Sequence, residues 1–192
     1  NVCVYSLKDA EVTKEGLEQK FKELSSLVTA DDVFVFFVSG HGTTYDDGDY
    51  YFIPVNFRYT NKTDIPLNAI SKSDLTKNLS LIKAGKTLMM LDTCNSGAFF
   101  ADSNKRGMGD KGIFECLSRA TGHAILAAAS DSQSAMEGYN GHGVFTYVLL
   151  DGLAGNADSD GDGFVTLTEL SSYVENQVPE LSYEKWGYEQ VP

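Results

Sequence analysis

Cysteine is scarce in this chain, and the little there is forms no framework. Cys3, Cys94 and Cys116 are an odd number at wide spacing, with no CxxC among them. That excludes a disulfide scaffold, and reduced thiols point to the cytoplasm. Long apolar runs are also absent. None approaches the roughly 18 residues of a membrane span, and no basic segment leads into an apolar stretch at the amino end, as a signal peptide requires. Positive charge is short as well: 15 Lys and Arg stand against 27 Asp and Glu, a net charge of −12. Nucleic acid and anionic lipid are poor partners for such a chain, whereas cations and basic peptides suit it. Arginine is limited to Arg58, Arg106 and Arg119. Histidine is limited to His41, His123 and His142, so a general base near neutral pH has three candidates.

What is present suits one α/β domain over residues 1–192, since 42% of the residues are hydrophobic. VCVY (2–5) reads as a short buried strand, with Cys3 as a core thiol. A helix follows, capped by Thr13, with Leu17, Phe21, Leu24 and Val28 on one face. Val33–Ser39 is apolar on both faces, which predicts a central parallel strand. TTYDDGDYYFIPV predicts a hairpin, with Asp46, Asp47 and Asp49 as solvated carboxylates at its tip. Ser71-x-x-Asp74 opens a second helix. KTLMMLDTC (86–94) and HAILAAAS (123–130) are strands, with a polar loop at 102–112 and Cys116 on a helix face between them. GVFTYVLLDGLAG and TLTELSSYVENQV are two amphipathic helices. This alternation predicts a doubly wound, mostly parallel sheet with helices on both faces. In such sheets the chemistry lies beyond the carboxyl ends of the strands.

Two of the predicted strands end in reactive groups. One runs into Gly40-His41-Gly42, the other into Asp92-Thr93-Cys94. A cysteine becomes a useful nucleophile when a base takes its proton, and histidine is the usual base. His123 and His142 suit structural roles, at a strand start and in a glycine-flanked loop. His41 has glycine on both sides, which suggests a tight backbone there. The N–H groups of Gly42 and Cys94 are candidates for an oxyanion hole.

SGHG followed by DTCNSG resembles the caspase-like cysteine peptidases of clan CD, as do the phrases VFVFFVSGHG, YYFIPV and ILAAASDSQSA. The separation, 94 − 41 = 53, agrees with the spacing of about 50 residues seen between the two groups in caspases. The signature of the eukaryotic caspases around the cysteine is absent, and DTCNSG is nearer to metacaspases and bacterial caspase-like proteins. The resemblance implies a bacterial cysteine endopeptidase with His41 and Cys94 as its dyad. It implies that Asp92 binds an arginine or lysine before the scissile bond. Asp131 is a second candidate for that pocket, and Ser130 a candidate peptide contact. The family opens with a strand and helix ahead of the strand matched by VCVY, and closes with a strand beyond YEQVP. Neither is in this sequence. The expectation is therefore a sheet lacking its first strand, completed by the protein's own N-terminal segment or by a second chain. Lys105, Arg106 and Lys111 in the 102–112 loop offer cutting points for self-processing.

DSDGDGFVTLTE (158–169) carries a separate signal. Asp158, Asp160, Asp162, Gly163, Phe164, Thr166 and Glu169 fit the calcium loop of an EF-hand at each defining position. Thr166-x-x-Glu169 is also a helix capping box, which needs no metal. Calcium is the one cofactor expected, with no organic one. Two rival readings stand beside the peptidase: a non-catalytic caspase-like interaction module, and a calcium-responsive binding domain.

Overall fold

The apolar run before the cysteine becomes β5 (Lys86–Thr93), the middle strand of a sheet that has three strands among the described residues. The computed structural model describes residues 1–46, 48–99, 123–130 and 133–192. β5 pairs with β1 (Val33–Gly40) on one side and with β6 (His123–Ala127) on the other, both in parallel. A smaller antiparallel sheet follows β1 directly: β2 (Gly42–Thr44), β3 (Tyr50–Phe52) and β4 (Ile70–Ser71), with β3 in the middle. Among the described residues the α-helices are α1 (Lys14–Ser25), α2 (Asp64–Asn68), α3 (Lys72–Leu79), α4 (Val144–Asp151) and α5 (Leu167–Trp186). Among the described residues, no helix is long and apolar enough to cross a membrane.

The two-residue period of β5 supplies both faces of the sheet. Met89 and Leu91 enter a cluster with Tyr50, Phe52, Ile70 and Leu75, flanked by Leu17 of α1. Met90 and Leu88 face the other way, against Val144, Phe145, Val148 and Leu149 of α4 and Leu170, Val174 and Val178 of α5. Each large apolar side chain buried in this way stabilises the fold by about 1.5–3 kcal/mol. The helix starts follow their local signals. Thr13 Oγ1 accepts from the N–H of Gly16 at 3.0 Å. Ser71 and Asp74 form a reciprocal capping box.

Four expectations need correction. β1 is an edge strand of the described sheet, not a central one, and Val33, Val35 and Phe37 on one of its faces are exposed. VCVY is not a strand. It has no ladder partner among the described residues, Val2 and Val4 are 91% and 85% exposed, and Cys3 is exposed rather than in the core. A short apolar run has strand propensity, but only a neighbouring edge turns it into a strand. β6 stops at Ala127, three residues early. The last helix runs through Pro179 to Trp186. Proline breaks exposed helices, but here Val178 and Ser182 are fully buried and hold the chain in place. The hairpin-tip Asp47, the 102–112 loop with its basic residues, Cys116 and Asp131 lie outside the described residues.

Candidate active site

The ladder between β1 and β5 determines what meets at the end of the sheet. Gly40 is paired with Thr93, so His41 and Cys94 are the next residues on two adjacent parallel strands. His41 is exposed and Cys94 half-buried. The carbonyl of His41 accepts from the N–H of Ile53 at 2.9 Å, which fixes the backbone as it turns into β2. The flanking glycines have steric reasons. A Cβ at Gly42 would collide with the carbonyl oxygen of Cys94 and lie 2.9 Å from Thr93 Oγ1. A Cβ at Gly40 would press on the ring of Phe52, at a φ of +153°. Gly42 faces Phe52 across the β2–β3 pair. The Ile53-to-His41 bond beside it marks a non-hydrogen-bonded pair, which leaves the Gly42 N–H outside the ladder.

Cys94 opens a tight turn held from outside. Asn95 adopts φ +56°, uncommon for a residue other than glycine. Its N–H donates to the carbonyl of Gln133 at 2.9 Å, and the N–H of Gly97 donates to that of Ala129 at 2.8 Å. Ser96 is fully buried; its hydroxyl donates to the Ala129 carbonyl and accepts from the Ala129 N–H, both at 3.1 Å. Serine in DTCNSG is thus a fastening for the turn. Beneath it, Thr93 Oγ1 and the hydroxyl of Tyr50 are 2.8 Å apart and buried. Burial pushes the Tyr50 phenol up to about 12, so it stays neutral.

Asp92 is the buried charge of the site, 1% exposed. Thr146 of α4 donates to its Oδ2. Gly143 packs so closely that a Cβ there would lie 2.8 Å from the same oxygen. Oδ1 has no hydrogen-bond partner. Burial pushes the carboxyl above its usual range; the Thr146 hydrogen bonds oppose this, and the charge of Glu137 adds to it. A buried carboxylate oxygen without a donor is costly. It is also a ready acceptor for a cationic group.

The other candidates lie further off. Ser130 is half-buried on the turn after β6, where its carbonyl accepts from Gln133 N. His123 starts β6, opposite Thr87 and so at the far end of the sheet from Cys94. His142 is exposed in a turn closed by two backbone bonds with Tyr139. Sequence reasoning missed Tyr50, Gly143, Thr146, Glu137 and Gln133. Each reaches the site across more than 35 residues, and no local pattern announces such a contact.

Residues 158–169 sit between α4, extended by a π-helical turn at Gly152–Asn156, and α5. Carboxylate oxygens of Asp158, Asp160 and Asp162 lie within 4.8 Å of one another. Gly161 and Gly163 take φ of +74° and +85°. The Asp158 carboxylate accepts from the N–H groups of Gly161, Asp162 and Gly163. Glu169 caps α5 through Thr166 and also accepts from Ser159; these bonds hold its carboxyl down to about 2. Phe164 is 73% exposed.

No curated protein matches the chain. The family model described as the caspase domain does, over residues 3–192. That match runs from the coil ahead of α1 to the closing tail, so the chain belongs to the caspase-domain family, whose members are cysteine peptidases.

Proposed function

We propose that this chain is a cysteine endopeptidase that cuts after arginine or lysine. The observation that carries the proposal is the succession at the end of β5: a nucleophile next to His41, with a buried carboxylate two residues before it. Cys94 Sγ attacks the peptide carbonyl while His41 takes its proton. The N–H groups of Gly42 and Cys94 hold the oxyanion. The tetrahedral intermediate collapses to a thioester, and His41 gives its proton to the departing amine. Water then hydrolyses the thioester and frees Cys94. The substrate's basic side chain reaches Asp92 Oδ1 and makes a charge-assisted bond where no donor now stands. Asp131 and Ser130 complete the peptide contacts in this reading. Fluorogenic peptides that differ only in the residue before the cut test it. Arginine and lysine should be cleaved and aspartate not; a preference for aspartate would overturn the basic specificity. The same specificity makes Lys105, Arg106 and Lys111 sites for self-processing.

Calcium binding at 158–169 belongs to this proposal. Asp158, Asp160 and Asp162 would supply carboxylates, Phe164 its carbonyl, Thr166 a further oxygen and Glu169 the closing carboxylate. The ion's contribution is to fix the angle between α4 and α5. With calcium at about 100 times its dissociation constant, stabilisation is about 2.7 kcal/mol, or about 5–11 °C in the melting midpoint. Asp160→Asn should remove that shift. No shift in the parent protein at about 10 mM calcium, some tenfold above the weak end for such loops, would sink this part.

The free edge of β1 supports the last part. Its backbone groups face no strand among the described residues, and Val33, Val35 and Phe37 are exposed beside it. An edge strand this apolar invites a partner. The protein's own N-terminal segment fills that place, continuous with the chain or cut from it by self-processing. Intact-mass analysis of the natural protein should reveal this segment in the complex, roughly 50 residues by the size of a strand–helix–strand unit. A second, unrelated chain there would change the partner. A lone, monomeric and active 192-residue chain would remove the requirement.

A further inference from the structure

Gln190 is the anomaly of the closing tail. It is a long polar side chain with 0% exposure. Burial of a primary amide is costly unless its groups are satisfied. Here they are. Nε2 donates to the carbonyl of Ala128 at 2.6 Å, and Oε1 accepts from the N–H of Met136 at 2.6 Å. Its backbone N–H donates to Ser182 Oγ at 2.8 Å, which anchors the tail to α5. The neighbours add two further bonds: Gln133 Nε2 donates to the Glu189 carbonyl at 3.3 Å, and Val191 N donates to Gln133 Oε1 at 3.0 Å.

The segment held in this way, 133–136, touches both halves of the candidate site. The Gln133 carbonyl accepts from the N–H of Asn95, the residue after Cys94. The Met136 carbonyl accepts at 3.0 Å from the N–H of Val144, the first residue of α4. That helix start carries Gly143 and Thr146 against Asp92. Ala128, the other partner of Gln190, precedes Ala129, which holds Ser96 and Gly97. One buried glutamine therefore ties α5 to the nucleophile turn and to the surroundings of Asp92.

We infer that Gln190 is a positioning residue, which sets the geometry of Cys94 and Asp92 through residues 133–136. The inference rests on the peptidase reading for its kinetic consequence, but not for its structural one. Gln190→Met keeps the length and removes both side-chain bonds. Gln190→Glu keeps one acceptor and sets an oxygen against the Ala128 carbonyl. Two measurements on the full chain decide. Amide exchange at Met136 and at Asn95 should each speed up by about tenfold or more, with α1 and β1 unchanged. Turnover per active site, counted by titration with a thiol-reactive probe, should fall about tenfold. A purely structural Gln190 would lower the number of titratable sites and leave turnover per site alone. Faster exchange at Met136 with unchanged exchange at Asn95 would equally overturn the inference. If Gln190 variants do not fold, Gln133→Ala removes the two neighbouring bonds from a partly exposed position and should move the same readouts in the same direction. If the parent protein cleaves no peptide, the peptidase reading fails, and the exchange data still decide on Gln190.

Discussion

Cys94→Ala is expected to reduce peptide hydrolysis to background and leave the fold as it is. The change removes one sulfur from a half-buried position. The bonds that hold the turn come from the N–H groups of Asn95 and Gly97 and from Ser96, none of which the substitution touches. The stability cost should therefore stay within about 1 kcal/mol. The kinetic cost is large because no other group at the site can form the thioester. Loss of a nucleophile lowers turnover by on the order of 10^5-fold or more. His41→Ala should cost less, about 10^2 to 10^4-fold, the range of general acid–base assistance. Hydrolysis of a fluorogenic peptide and a thermal melt on the same samples check both. Parent-level cleavage by Cys94→Ala would end the peptidase reading. A collapsed melting midpoint would mean that the sulfur is a packing atom.

The meeting of His41 and Cys94 was legible in the sequence because both motifs end apolar strands, and parallel strands bring like ends together. The helix starts were legible for a similar reason: Thr13 and Ser71 cap their helices with bonds three residues long. The rank of each strand in the sheet was not. Val33–Ser39 has the composition of a strand covered on both faces, yet β5 takes the middle place among the described strands. Composition reports what a strand tolerates, and pairing is decided by chain segments far away. The same limit hid the surroundings of Asp92. Thr146 lies 54 residues downstream, and nothing in GVFTYVLL distinguishes a threonine that bonds a buried carboxylate from one that faces water. Gln190 was hidden more completely, since glutamine is ordinarily exposed.

Asp92→Asn is expected to make the protein more stable and far less active on basic substrates. The carboxyl is 1% exposed, has one oxygen without a donor, and is pushed above its usual range by burial and by Glu137. The sign of the pH effect follows. Below its unfolded value of 3.8, Asp92 is protonated in both states and contributes no difference. As pH rises further, the unfolded chain loses this proton first. Stability therefore falls until the folded carboxyl ionises, and it stays lower above that point. At neutral pH the unmatched oxygen costs about 1–3 kcal/mol. Asparagine has nearly the same shape, carries no charge, and still offers Thr146 an oxygen. The melting midpoint should rise by a few degrees. The catalytic effect runs the other way. A guanidinium or ammonium group entering the pocket of the variant would find no counter-charge, and breaking a buried ion pair from one side costs about 3–5 kcal/mol. At about 1.4 kcal/mol per tenfold, kcat/KM for arginine substrates should fall by roughly 10^2 to 4 × 10^3-fold. In the parent protein, kcat/KM for those substrates should climb with pH as Asp92 ionises, and the variant should lose that limb. A variant that keeps its arginine preference would place the specificity pocket elsewhere, and one that melts lower would show that the carboxylate is already paired in the free protein.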